Sequence, residues 1–277
     1  MTMVMDASWR DWLQENLARG CSVESIVESM INGGFDKDVA TAAVHALLAG
    51  QIPVYSRYEY DMCPVSTDRT IHAHDRAIYS VMRVERPQLI VFGNVLSAEE
   101  CDQIIELSEG KLQRSTIVDS DTGRPEIIRN RTSEGTYFQL SETPLIDRID
   151  RRISALMNWP LENGEGLQIL RYRVGGEYRS HFDYFPPDQP GHAAHIARGG
   201  QRIATLVVYL NDVEGGGDTV FPEAGISISP RRGHAVYFRY FNNLGQLDPA
   251  TKHAGAPVLA GEKWIMTKWM RRYRYSG

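Results

Sequence analysis

The sequence predicts an α+β protein, with a helical first part and a strand-rich second half forming a sheet sandwich or barrel flanked by helices. Three observations carry this reading. Apolar residues recur at helical spacing through the first fifty residues and again over 97–110 and 143–156. After Trp159-Pro160 the pattern breaks into short apolar runs separated by Gly, Pro, Asp and Asn. The helices precede the strands and do not alternate with them, which argues against a βαβ array.

Residues 1–50 are expected to form a small helical bundle. Trp9, Trp12, Leu13 and Leu17 share a helical face, with Ser8 as N-cap and Gly20 as stop. A second helix starts from Ser22, buries Val23, Ile26, Val27 and Met30, and ends at Gly33-Gly34. A third runs from Asp36 through Val39, Ala43 and Leu47 to Gly50. We read these apolar stripes as the core of the bundle and not as a partner groove. Residues 51–80 contain Pro53 and Pro64 and carry Tyr55, Tyr58 and Tyr60, so they are expected to be a linker that packs on something.

Residues 81–277 form the expected main domain. The run Leu89-Ile90-Val91-Phe92 precedes Ser97-Ala98-Glu99-Glu100, which matches a capping box. The helix after it presents Cys101, Ile104, Ile105 and Ser108 on one face and stops at Gly110. Thr143-Pro144 opens another helix, burying Ile146, Ile149, Ile153 and Leu156. Strands are expected over 167–174, 203–210, 226–229, 234–241 and 262–270.

Composition narrows the partners. The chain is 42% hydrophobic and 23% charged, ordinary for a globular protein with a real core. A net charge of −5 argues against a nucleic-acid partner, since that affinity rests on Lys and Arg neutralising phosphates. Arg271, Arg272 and Arg274 are read as a solvated terminal strand. No apolar run approaches the ~20 residues needed to span a bilayer, so no membrane partner is expected. Residues 1–20 carry Asp6, Arg10, Asp11, Glu15 and Arg19 and lack the apolar core of a secretory leader. The 3 cysteines, Cys21, Cys63 and Cys101, have no metal-binding spacing and read as reduced thiols. The expectation is a cytoplasmic protein; its oligomeric state has no sequence signal.

One segment carries chemistry. In Tyr178-Arg179-Ser180-His181-Phe182-Asp183, a strand would turn His181 and Asp183 to one face. His253, just before the final strands, is a candidate third ligand. Two histidines and one carboxylate on a single face of an octahedron leave positions open, the arrangement of non-haem Fe(II) oxygenases. A bare His-x-Asp is weak evidence. His72-Ala73-His74 has similar spacing, and we read it as structural.

The company of these residues is more specific. Tyr172 through Phe185, Arg202 through Val213 and Glu214-Gly215-Gly216-Gly217-Asp218-Thr219-Val220-Phe221-Pro222 follow in order. His253-Ala254-Gly255-Ala256-Pro257-Val258 and Gly261 through Trp269 continue the series. These motifs resemble the prolyl 4-hydroxylase catalytic domain, over roughly residues 87–275. The resemblance implies a double-stranded β-helix (jelly-roll) core holding Fe(II) at His181, Asp183 and His253. It implies 2-oxoglutarate anchored by Lys263, O2 as co-substrate and ascorbate as a candidate stimulant. Lys268 is the alternative anchor; an odd separation puts the two lysines on opposite strand faces, so only one should point inward. Tyr172 and Thr219 match co-substrate-binding positions, and Arg202 and Tyr178 match substrate-contacting ones. Ala256 departs from the cysteine common in the family, and the N-terminal bundle has no counterpart in the minimal catalytic domain.

The implied reaction couples decarboxylation of 2-oxoglutarate to hydroxylation of an unactivated C–H. Asp183 argues against halogenation, for which halogenases of this type leave out the carboxylate. Residues 184–201, rich in Pro and Gly, are expected to close over the substrate. The substrate is expected to be a prolyl residue in a peptide or protein, or instead a free amino acid or specialised metabolite. A non-catalytic metal-binding peptide-recognition module and a metal-assisted hydrolase are further alternatives, and neither explains Lys263.

Overall fold

The computed structural model describes residues 7–35, 37–48, 58–115, 117–118, 125–126, 132–186 and 189–276. The expectations placed on Asp36, Gly50, Pro53, Tyr55 and Pro187, and on the Ser8 side chain, lie outside what is described. The chain divides into two compact units, Met1–Glu59 and Tyr60–Gly277.

In the first unit, α1 (Ala7–Ala18), α2 (Val23–Asn32) and α3 (Lys37–Leu48) enclose Leu13, Ile26, Met30, Phe35, Ala40, Ala43 and Val44. Ser22 caps α2, its hydroxyl accepting from the Ser25 amide. A side chain at Gly33 would collide with the Trp9 ring, whose nearest atom lies 2.7 Å from the position of a Cβ. That close approach explains the glycine where α2 ends.

The second unit begins with β1 (Thr70–Ala73), β2 (Arg76–Val84) and β3 (Gln88–Gly93). It continues through α4 (Ala98–Glu109), β4 (Gln113–Arg114), β5 (Ile117–Val118), β6 (Pro125–Glu126), β7 (Glu134–Phe138) and α5 (Pro144–Met157). Next come β8 (Leu167–Tyr172), β9 (Tyr178–His181), the short α6 (Ala193–Ile196), β10 (Arg202–Tyr209) and β11 (Gly215–Gly216). The chain closes with β12 (Thr219–Phe221), β13 (Ile226–Ile228), β14 (Ala235–Arg239), β15 (His253–Gly255), β16 (Val258–Ala260) and β17 (Lys263–Arg271). Among the described residues the larger sheet runs β1-β2-β3-β14-β10-β17-β8-β7-β4 and the smaller β13-β12-β15-β9.

Both faces of the larger sheet are covered, and side-chain alternation sorts them. Ile90, Phe92, Leu206, Val208, Trp264 and Met266 pack toward Ile104 of α4 and Ile146, Ile149 and Ile153 of α5. Leu89, Leu170, Tyr172, Tyr209, Phe238 and Ile265 form a second core with Phe221 and Ile228 of the smaller sheet. The active site lies in that second layer.

Two expectations are corrected here. Residues 70–80, read as linker, form β1 and the start of β2 within the second unit, with Ile71, Ala73 and Ile78 buried. A four-residue strand beside irregular chain gives too short an alternation to recognise. Lys263 and Lys268 do face opposite ways, but both are buried, at 3% and 1% exposure. Lys268 points to the helical layer, donating to Asp150 Oδ1 at 2.7 Å and to the Glu165 carbonyl at 2.5 Å.

The helices are fixed to the sheet by a buried ion cluster. Glu100 closes the α4 capping box through the Ser97 amide, at 2.9 Å, and receives Arg152 of α5 on both oxygens, at 2.7 and 2.8 Å. Arg152 also forks onto Asp75 in the β1–β2 turn at 2.7 and 2.8 Å. One guanidinium thereby joins α4, α5 and the first hairpin.

Candidate active site

The smaller sheet places the two histidines. His253 on β15 stands opposite His181 on β9 in the antiparallel register, with ring centroids 4.3 Å apart. Asp183 lies just beyond β9, its carboxylate oxygens 3.6 Å from His181 Nε2 and 3.7 Å from His253 Nε2. The candidate ligand atoms of all three lie within 4.8 Å of one another. Each imidazole turns Nδ1 to a backbone carbonyl, His181 to Arg179 at 2.8 Å and His253 to Thr251 at 3.0 Å. Donation from Nδ1–H leaves both Nε2 lone pairs facing the carboxylate, the tautomer a metal requires.

The electrostatics agree with that donor set. Burial, with His181 adjacent, lowers the His253 imidazole to about 4, so it is neutral at physiological pH. Burial alone would favour a protonated Asp183, but His253, His181 and Arg202 hold its carboxyl well below the usual carboxylate range. Two imidazole nitrogens and an ionised carboxylate are a donor set that fits a divalent iron.

Lys263 is the register partner of Tyr172 across β17 and β8. Its ammonium lies 5.9 Å from the Tyr172 ring centroid and 5.8 Å from that of Tyr209. Although the residue is 3% exposed, its ammonium has no hydrogen bond or ion pair among the described residues. Burial pushes it down to about 8, opposed by the Asp218 charge. Gly217 and Gly255 leave room around it, since a Cβ on either would stand 3.3 Å from Cδ or 4.0 Å from Nζ. A desolvated cation in such a cradle fits a carboxylate ligand. Thr219 lies beside it, accepting from the Tyr209 hydroxyl at 2.8 Å.

The other singled-out residues fall into place around the trio. Tyr178 stacks on His181 at 3.6 Å between centroids. Phe182 and Tyr184 stack on each other at 4.6 Å. Arg202 forks onto Glu165 at 2.6 and 2.8 Å, lies over the Trp269 ring at 3.8 Å and donates to the Asp183 carbonyl at 3.2 Å. It therefore braces the backbone of a ligand residue. The segment after Asp183 is tied in as well. The Gln201 amide brackets Phe185, accepting from its N–H at 2.8 Å and donating to its carbonyl at 2.6 Å. Part of the expected closing segment is wound into α6.

Sequence reasoning passed over Thr205, Tyr209, Tyr240 and Glu165. Thr205 donates to Asp183 Oδ2 at 2.7 Å and lies 3.1 Å from the Tyr240 hydroxyl. Arg202 and Thr205 both reach Asp183, although an odd separation on one strand should set them on opposite faces. The β10–β17 register shifts between Arg202 and Ala204, and this bulge turns Arg202 to the face that Thr205 shares with Val207 and Tyr209. Only the phase of Val207 and Tyr209, alternating with Leu206 and Val208, hinted at Thr205.

The fold and the site together define a 2-oxoglutarate- and Fe(II)-dependent dioxygenase with a double-stranded β-helix core. The family model for the 2OG-Fe(II) oxygenase superfamily matches residues 167–271. The chain is 39% identical over 208 residues to probable prolyl 4-hydroxylase 3 of Arabidopsis thaliana, covering 68% of this chain and 71% of that protein. It is 38% identical over 208 residues to prolyl 4-hydroxylase 5 of the same plant, covering 68% and 70%. The solved viral collagen prolyl hydroxylase of Paramecium Bursaria Chlorella virus-1, in complex with 2OG, aligns at a TM-score of 0.53 and 30% identity, covering 66% of this chain and 95% of that one. The chain belongs to the prolyl 4-hydroxylase family of 2OG-Fe(II) oxygenases.

Proposed function

We propose that this protein hydroxylates a prolyl residue within a peptide or protein, with Fe(II) held by His181, Asp183 and His253 and 2-oxoglutarate anchored at Lys263. The observation that carries the reading is a buried lysine that makes no ion pair among the described residues, in the same layer as a two-histidine, one-carboxylate cluster. A recognition module or a hydrolase has no use for that cation. The peptide substrate rests on the relatives, which are prolyl 4-hydroxylases.

When bound, iron and 2-oxoglutarate supply the oxidising power, with succinate and CO2 as by-products. The protein's part is to bind, orient and keep water out. Lys263 binds the distal carboxylate of the co-substrate, with Tyr172 and Thr219 lining its cradle. Asp183 and the two Nε2 atoms hold the metal on one side. Tyr178, Phe182 and Tyr184 surround the ligands with aromatic surface suited to an apolar pyrrolidine ring.

Incubation with Fe(II), 2-oxoglutarate and ascorbate tests the reading, following succinate and peptide mass. Proline-containing peptides should gain one oxygen atom each, in step with succinate release. Release driven by free amino acids alone would overturn the peptide reading in favour of a metabolite hydroxylase. We further propose a cytoplasmic location, supported by Cys21, Cys63 and Cys101 being free thiols. Among the described residues no helix is long and apolar enough to cross a membrane. Cell fractionation tests the location, and recovery from a secretory compartment would overturn it.

A further inference from the structure

Asp183 is held at two points by β10. Arg202 holds its carbonyl, and Thr205 holds its carboxylate. Thr205 is 0% exposed, and no other hydroxyl or amide donates to this carboxylate among the described residues. The direction of the chain of bonds follows from proton counting. An ionised carboxylate only accepts, so Thr205 must spend its one hydroxyl proton on Oδ2. The contact with Tyr240 at 3.1 Å is then a bond donated by the tyrosine. Tyr240 is fully buried just beyond β14.

We infer that the Tyr240–Thr205 hydroxyl relay is a positioning device for the metal site, fixing the rotation of the Asp183 carboxylate so that it meets the metal in one orientation. This rests on the metal-binding reading above. A carboxylate joined to its chain by soft torsions has no orientation of its own, and at a site needing open positions a swing of the group would cover one of them. Neither imidazole prevents that swing, because their Nε2 atoms stand 3.6 and 3.7 Å from the carboxylate, beyond hydrogen-bond reach. A neutral donor fixes one oxygen without competing with the metal for the carboxylate as a cation would. Thr205 and Tyr240 are therefore positioning residues, with no contact to substrate required of either.

The test is calorimetric titration of the full-length, metal-stripped protein with Co(II), together with the visible Co(II) spectrum. Thr205→Val keeps the shape and removes the donor; it should weaken Co(II) binding by about 10–100-fold, the usual effect of losing a partner behind a metal ligand, and alter the spectrum. Thr205→Ser restores the hydroxyl and should return both toward wild type. Tyr240→Phe leaves the threonine donor but removes its orienting bond, and should cost about fivefold, the worth of one neutral hydrogen bond. If Thr205→Val does not fold, Tyr240→Phe and Thr205→Ser decide the matter. A folded Thr205→Val, or failing that a Tyr240→Phe, with wild-type affinity and spectrum overturns the inference. Wild-type protein that does not bind Co(II) overturns the metal reading itself.

Discussion

Lys263 and Tyr172 are register partners on neighbouring strands, so a cation and a phenol share the inner face of the sheet. The apoprotein thus carries a desolvated charge, offset in part by Asp218, that a carboxylate ligand would relieve further. Lys263→Met should separate stability from binding. The apoprotein should gain about 2–3 kcal/mol in urea unfolding, while 2-oxoglutarate affinity falls by about 2–5 kcal/mol, or roughly 30-fold to several thousand-fold. Co(II) binding should be retained. A variant that is less stable and binds 2-oxoglutarate normally would refute this assignment.

The same lysine sets a pH dependence. Its folded value is about 8 and its ordinary value 10.5, so between these the unfolded chain binds more protons than the folded one. Stability of the apoprotein should therefore rise with pH across that window, the burial penalty being complete below 8 and gone above 10.5. Binding of 2-oxoglutarate should move oppositely. Its dissociation constant should stay flat below pH 8 and increase about tenfold per unit above it, until the bound form also loses its proton. Calorimetry across pH 7 to 10 measures this, and a flat profile would exclude Lys263 as the anchor.

Removing a metal ligand should give the complementary phenotype. His253→Ala takes away one Nε2 and should lower Co(II) affinity by more than about 100-fold, beyond what loss of a supporting residue does. The variant should remain folded, because among the described residues the one hydrogen bond lost is that of Nδ1 with the Thr251 carbonyl. Titration and circular dichroism on one preparation test both statements.

Arg152 carries a stability prediction far from the chemistry. Its guanidinium is 1% exposed and joins Asp75, Glu100 and the Val95 carbonyl. Arg152→Ala should cost about 3–5 kcal/mol, since it leaves Glu100 charged and buried with only partial compensation from Arg76 and the more exposed Arg148. The unfolding midpoint of the second unit should drop on the order of 10 °C, with the metal affinity of the surviving folded protein unchanged.

What the sequence disclosed follows from which interactions are local. The capping box of α4, the proline start of α5 and the strand carrying His181 depend on neighbours in the chain, and they fall where the pattern puts them. Lys268 was harder to place, because its partners, Asp150 and the Glu165 carbonyl, come from distant segments. The contact of Arg202 with Asp183 was invisible for a different reason. The bulge that turns Arg202 toward Asp183 is a property of the pairing of two strands and leaves no trace in either strand's own alternation.

The two lysines of β17 have one more consequence. Lys263 serves the inner layer and Lys268 the helical layer, so the strand is read on both sides at once. Deleting one residue between them would carry one of the two ammonium groups through the sheet, leaving either the co-substrate cradle without its cation or Asp150 without its counter-charge. Substitutions in this stretch can be graded in severity, but a change of length cannot. The spacing is a fixed dimension of the enzyme, as binding as the identity of either lysine.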